Sequence, residues 1–488
     1  MAPVRPAVDP PSRGACRMNA ADLPTRTEHD LIGDREVPAD AYWGIHTLRA
    51  QENFPISGVT IGDSPFLVEA LACVKQAAAL TNHQLGLLDD ERFAAIERAC
   101  EEVRAGDLHD QFVVDVMQGG AGTSTNMNAN EVIANRALEI LGRAKGDYAF
   151  LHPNEHVNLS QSTNDVYPTA VKIAIIEATH SLLGAMEVLQ GSFAAKAEEF
   201  RGVLKMGRTQ LQDAVPMTLG QEFGTYAVML GEDRSRLSEA VAMLHEINLG
   251  ATAIGTQLNA PLGYVPVACE HLAALTGLPL ESAVDLIEAT QDCGSFVQLS
   301  GTLKRVAVKI GKICNDLRLL SSGPRAGLNE INLPAVQAGS SIMPGKVNPV
   351  IPEVVNQVAF QVIGMDVTVT MAAEAGQLQL NAFEPVICYS LSVGTYRLRE
   401  AMLVLAERCV DGITANEELL RAEVESSIGL VTALNPFIGY AAATEVAKEA
   451  LATGRGVAEL VLERGLLPPE QLRAILQPEV LANLAPRP

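Results

Sequence analysis

The 488-residue, 51.9 kDa chain carries a formal charge of −22 and a pI near 4.8, which excludes nonspecific nucleic-acid binding and attachment to anionic membranes. Its length exceeds one compact core and suggests two to three domains. Apolar residues make up 48% of it but aromatic ones only 4%, so helices packed through small residues are expected rather than aromatic-rich sheets.

Residues 1–26 predict a disordered N-terminal tail. Met1 to Arg17 hold four prolines and no apolar stretch of the secretory kind, and Met18 is an alternative start. No run of about 18 uninterrupted apolar residues occurs, so no membrane span is expected. The cysteines, at 16, 73, 100, 269, 293, 314, 388 and 409, include no CxxC pair, which fits the reduced thiols of a cytoplasmic protein. The histidines form no HExxH or HxH motif, so no built-in metal is expected.

From Glu28 to Gly58 the chain reads as turns and short extended pieces, with His46, Thr47 and Arg49 in a polar patch beside Trp43. Residues 65 to 105 turn helical in period, with Phe66, Val68, Leu71, Val74 and Ala78 spaced for one face. Gln118 to Glu131 is glycine-rich, then dense in Ser, Thr and Asn. It lacks the GxxxxGK[ST] and GxGxxG spacings, which disfavours nucleotide binding, and a helix is expected from about Glu131. A second neutral cluster, Ser162-Thr163-Asn164-Asp165, precedes Pro168, which suits a first helical turn.

From Val166 onward the pattern is long helix. Apolar residues at 219, 223, 226, 230, 237, 241 and 244 form a heptad seam, so long helices must pair along their lengths, including with copies from other subunits. Gly207 to Pro216 reads as a polar approach to that helix and carries Thr209 and Gln210. The densest stretch is Gly339-Ser340-Ser341-Ile342-Met343-Pro344-Gly345-Lys346-Val347-Asn348-Pro349. Its glycines and prolines forbid regular structure. Val355, Val358, Ala359, Val362 and Ile363 then fall on one helical face. A loop ending at a helix N-terminus, with Lys346 in it, suits a carboxylate or phosphate. Past Thr414, Asn416-Glu417-Glu418 reads as a helix start, Leu434 to Gly439 as a break, and short helices follow.

Each cluster alone would also serve as a helix cap or a surface connection. Their recurrence in order is what carries a resemblance. Gly339 to Pro349, Ala41 to Arg49, Gly122-Thr123-Ser124, Ser162 to Asp165 and Leu434-Asn435-Pro436 resemble the fumarase/aspartase superfamily from about Asp30 to Ile475. Within it, His46-Thr47-Leu48-Arg49 and Asn248 to Thr256 are similar to the aspartase branch. So is Gln210, where fumarases are expected to have a histidine that serves water. Gln257 departs from the glycine usual at its position.

The resemblance implies a mainly all-α, three-domain fold: an N-terminal domain over 27–163, a central long-helix bundle over 164–418, and a small C-terminal helical domain over 419–488. Four bundles would form a 20-helix core in a homotetramer whose sites draw loops from three subunits. It implies reversible deamination of L-aspartate to fumarate and ammonia, without a required cofactor. Some aspartases are activated by divalent cations, but no ligand cluster in this sequence shows it. Fumarate hydration and a catalytically silent relative are the alternatives.

By the same resemblance, Ser340 is the base that takes the Cβ proton and Ser341 helps hold the resulting oxyanion. Lys346, Asn348 and Thr163 would bind the carboxylate on the amino-bearing carbon, and Thr123 and Ser162 the other one. Asn164, Thr209 and Gln210 would surround the departing amine, with Glu353 behind Gln210. Neutral donors suit this chemistry, because they stabilise a dianionic aci-carboxylate without competing for the proton.

Overall fold

A computed structural model describes residues 24–339 and 342–486. Ser340 and Ser341 lie outside the described residues, as does most of the expected tail. Residues 25 and 26 correct that tail, because they open a strand.

A hairpin, β1 (Thr25–Asp30) and β2 (Gly33–Pro38), leads into α1 (Ile45–Asn53). The stretch read as turns therefore contains a helix. Its cap comes from far away in sequence: the buried Glu131 carboxylate accepts from the backbone N–H groups of Gly44, His46 and Thr47, and Glu28 accepts from Ile45. No local pattern announces such a cap. Next come α2 (Pro65–Gln84), α3 (Asp90–Arg104) and α4 (Thr123–Ile140). Val68, Leu71, Val74 and Ala78 are buried as expected, whereas Phe66 is exposed. Helix α4 begins at Thr123, eight residues before the expected point, with Gly122 as its N-cap. That residue has φ +88, and a Cβ on it would lie 2.4 Å from the Tyr167 ring.

Helix α5 (Thr163–Glu199) has 37 residues and so spans about 55 Å. The segment expected as a polar approach is instead a second hairpin, β3 (Leu204–Thr209) with β4 (Gln212–Thr218), turning at Gln210 and Leu211, which both have positive φ. Helix α6 (Leu219–Ala242) returns alongside α5, and all seven seam residues are buried within this chain. The seam is thus satisfied intramolecularly.

Helices α7 (Tyr264–Thr276) and α8 (Leu286–Ala289) precede the long α9 (Gly294–Leu320), α10 (Val350–Glu374) and α11 (Glu384–Arg408). The five long helices close a ring in which α5 packs on α6, α6 on α9, α9 on α10, α10 on α11 and α11 on α5. By length and composition α10 alone among the described helices could cross a membrane. It carries Glu353, Asn356, Gln361 and Asp366, however, and lies between α9 and α11.

Six short helices end the chain: α12 (Glu417–Ser426), α13 (Leu430–Ile438), α14 (Tyr440–Thr453), α15 (Val457–Glu463), α16 (Pro469–Ile475) and α17 (Pro478–Leu481). Asn416 precedes α12 as predicted. Pro436 lies inside α13 rather than breaking it, and the break falls at Gly439. The buried apolar residues form one large cluster along the bundle and two smaller ones, around α3 and α4 and around α13 to α16.

Candidate active site

Four predicted residues meet where α4 and α5 begin. Ser162 caps α5: its Oγ accepts from the Asn164 N–H at 3.3 Å, and its own N–H donates to Asp165 Oδ1 at 3.0 Å. Asp165 is buried, and its second oxygen accepts from the N–H groups of Gly250 (3.1 Å) and Thr252 (2.8 Å), which fastens the loop after α6 over the α5 N-terminus. Burial pushes the Asp165 carboxyl up to about 6.

The Asn164 amide donates to Ala253 O at 2.7 Å, which leaves its Oδ1 as an acceptor for an ammonium group. Thr163 Oγ accepts from Asn126 Nδ2 at 3.0 Å. Thr123, exposed in the first turn of α4, gives its hydroxyl proton to Gly120 O at 2.7 Å, so it must turn to hold a carboxylate.

Behind these lies a polar cluster that sequence reasoning passed over. Lys75, fully buried on α2, donates to Asn158 Oδ1 at 2.8 Å and to Gln161 Oε1 at 2.9 Å. Burial pulls its ammonium down to about 7. Asn126 and Asn130, one helical turn apart on α4, both donate to the same Asn158 oxygen at 3.2 Å. The legible signals were that i, i+4 asparagine pair and a lysine inside the apolar run of α2.

The remaining residues are elsewhere. Thr209 and Gln210 are exposed at the tip of the second hairpin, which follows directly on the C-terminal end of α5. Below that tip the hairpin is held by ion pairs of Lys205 with Glu222 (2.5 Å) and Glu330 (2.7 Å), and of Arg208 with Glu330 and Glu423. Lys346 and Asn348 precede the start of α10, where Asn356 accepts from Arg318 near the end of α9. Glu330, just beyond α9, in turn meets the hairpin. Both groups therefore sit at the hairpin end of the bundle, roughly 50 Å along α5 from Thr163.

Between them the loop closes on itself. The Gly339 N–H donates to Lys346 O at 2.9 Å, and Asn348 Nδ2 donates to Gly339 O at 2.9 Å. A Cβ at 339 would lie 2.4 Å from Lys346 O, so only glycine fits this crossing. Lys346 is exposed, and no hydrogen bond among the described residues joins Glu353 to Gln210. Among the described residues no group of His, Cys, Asp or Glu converges as a metal site.

The family profile described as "Lyase" matches residues 33–364, and one described as "Fumarase C C-terminus" matches residues 430–483. The chain belongs to the fumarase/aspartase superfamily. An aspartate ammonia-lyase of Pseudomonas aeruginosa is 61% identical over 464 residues, covering 95% of this chain and 98% of that one. The enzyme of the same name from Escherichia coli K12 is 57% identical, covering 94% and 96%. A Brucella melitensis structure titled "fumarate lyase:delta crystallin", bound to cobalt, superposes with TM-score 0.92 at 58% identity, covering 94% of this chain and 99% of that one. A class II fumarase from Schistosoma mansoni superposes with TM-score 0.89 at 35% identity, covering 95% and 100%. The fold is thus shared with a class II fumarase at 35% identity, whereas the aspartate ammonia-lyases are 57–61% identical in sequence.

Proposed function

We propose that this chain deaminates L-aspartate to fumarate and ammonia by anti elimination. The observation that carries the reading is identity of 57–61% to aspartate ammonia-lyases over 93–95% of the chain, against 35% to the class II fumarase. Gln210 at the hairpin tip, in place of a water-serving histidine, points the same way. Following fumarate formation at high pH from L-aspartate and from L-malate tests it. Turnover of malate alone would overturn it.

In this reading Ser340, ionised by surrounding amides and positive potential, takes the Cβ proton. The electron pair moves into the adjacent carboxylate, whose aci form is held by Thr123, Ser162 and Ser341. Its collapse forms the double bond and releases the amine, which faces Asn164 Oδ1, Thr209 and Gln210. Lys346, Asn348 and Thr163 fix the remaining carboxylate.

One chain cannot assemble this set, since its members lie at opposite ends of a bundle about 50 Å long. Antiparallel copies would bring one end of each to the other end of its neighbour. The apolar residues that α10 leaves exposed, Val354, Phe360, Val367 and Met371, offer a face for such packing. We therefore read the enzyme as a homotetramer with shared sites. Activity that survives dilution to monomers would refute this. The seven described cysteines are buried free thiols, which fits a reducing cytoplasm.

A further inference from the structure

We propose that Asn126 is a positioning residue that sets the polarity of the Thr163 hydroxyl, so that its single proton faces the substrate carboxylate. The inference rests on the reading of Thr163 as a carboxylate ligand.

The argument runs outward from the buried side of the cluster. Gln161 Nε2 faces two carbonyls, Val157 O at 2.9 Å and Leu159 O at 3.0 Å, so its Oε1 must be the atom that meets Lys75. Asn158 Nδ2 likewise faces Gln161 O at 3.3 Å, which makes Oδ1 the atom that meets Lys75, Asn126 and Asn130. That oxygen only accepts. Asn126 must therefore present its nitrogen, because the reversed amide would set two acceptors against each other at 3.2 Å.

Its two amide hydrogens then have fixed destinations, one at Asn158 and one at Thr163 Oγ, 3.0 Å away. With a lone pair of Thr163 filled from inside, its proton is left over, and among the described residues nothing accepts it. A carboxylate arriving from outside receives a charge-assisted O–H donor. With the opposite polarity it would meet lone pairs. Asn126 is 1% exposed and touches no substrate itself, so it acts only through Thr163.

A double-mutant cycle reads this coupling. Asn126→Asp keeps the shape but accepts the Thr163 proton, and it also sets an acceptor against Asn158 Oδ1, a cost that does not depend on Thr163. Asn126→Leu removes the constraint without adding charge. The readouts are kcat/KM for L-aspartate and the dissociation constant of succinate, a dicarboxylate without the amine. We expect Thr163→Val to lower kcat/KM about tenfold or more, and Asn126→Asp to lower it at least as much in the parental background but by a clearly smaller factor beside Thr163→Val.

Equal factors in both backgrounds would place the effect of Asn126 elsewhere and overturn the inference. A large effect of Thr163→Val with none from either Asn126 variant would do the same while leaving the ligand assignment standing. If Thr163→Val changes neither readout, the assignment itself fails. Should the Asp variant fail to assemble, the Leu variant carries the same cycle.

Discussion

The two ends of the bundle handle polar groups in opposite ways. Where α4 and α5 begin, the candidate side chains are tied inward: Asn164 to Ala253, Thr163 to Asn126, Asp165 to Gly250 and Thr252. Around Lys346 and Gln210 they stand exposed, on a loop held by its own backbone and on a hairpin tip. Donors that stabilise a developing charge do most when they need no reorganisation. On the proposed reading the site draws on both ends, one tied by inward hydrogen bonds and the other exposed.

The largest expected effects break that comparison directly. Ser340→Ala should lower kcat at least about 10³-fold while leaving circular dichroism unchanged. The double variant Ser162→Ala/Thr163→Val should cripple the rigid end to a similar degree. Co-expressing the two should restore roughly a quarter of parental activity by random assortment, because each hybrid site draws its two ends from different copies. Recovery no greater than the sum of the two variants alone would mean that each chain builds its own site.

The sequence made the rigid skeleton legible and the arrangement of the site illegible. The α6 seam and the Asn416 start of α12 were readable because they depend on residues within a few turns. Helix α1 was not, since its capping carboxylate, Glu131, lies more than eighty residues on. The hairpin after α5 was missed because Gly207 and Pro216 break the alternation by which strands are recognised. Motifs named the candidate residues. Only the length of α5 shows that they cannot meet inside one chain. Lys75 escaped notice because its partners, Asn158 and Gln161, come from a distant turn.

A smaller effect sharpens the account of the rigid end through pH. Glu384, buried at the start of α11, is pushed by desolvation up to about 8 from 4.5, even with Lys172 nearby. The folded chain keeps a proton there that the unfolded chain releases above 4.5. This contribution to stability therefore falls as pH rises from 4.5 to about 8, by at most about 1.4 kcal/mol per unit. Urea unfolding at pH 5 and pH 8 should show a decline that Glu384→Gln reduces, the remainder coming from other buried carboxyls such as Asp165 and Glu131. Equal declines in the two proteins would place the titration elsewhere.

The smallest expected effect concerns Gln257, whose exposed side chain sits on a backbone with φ +60. The loop roofing the α5 N-terminus passes repeatedly through the left-handed region, at Gly250, Thr252, Gly255, Gln257 and Asn259. At Gly255 a Cβ would lie 2.4 Å from the Ile287 backbone, so glycine is required there by contact. At Gln257 only the dihedral angle is unfavourable, costing about 1 kcal/mol, and glycine would relieve it while adding freedom to the unfolded chain. Gln257→Gly should therefore shift stability by less than about 1 kcal/mol, in the stabilising direction, with kcat/KM unchanged. A loss of activity would show that the roof reaches the substrate through this side chain, and the rigid end would then extend one residue further into the chemistry than its hydrogen bonds indicate.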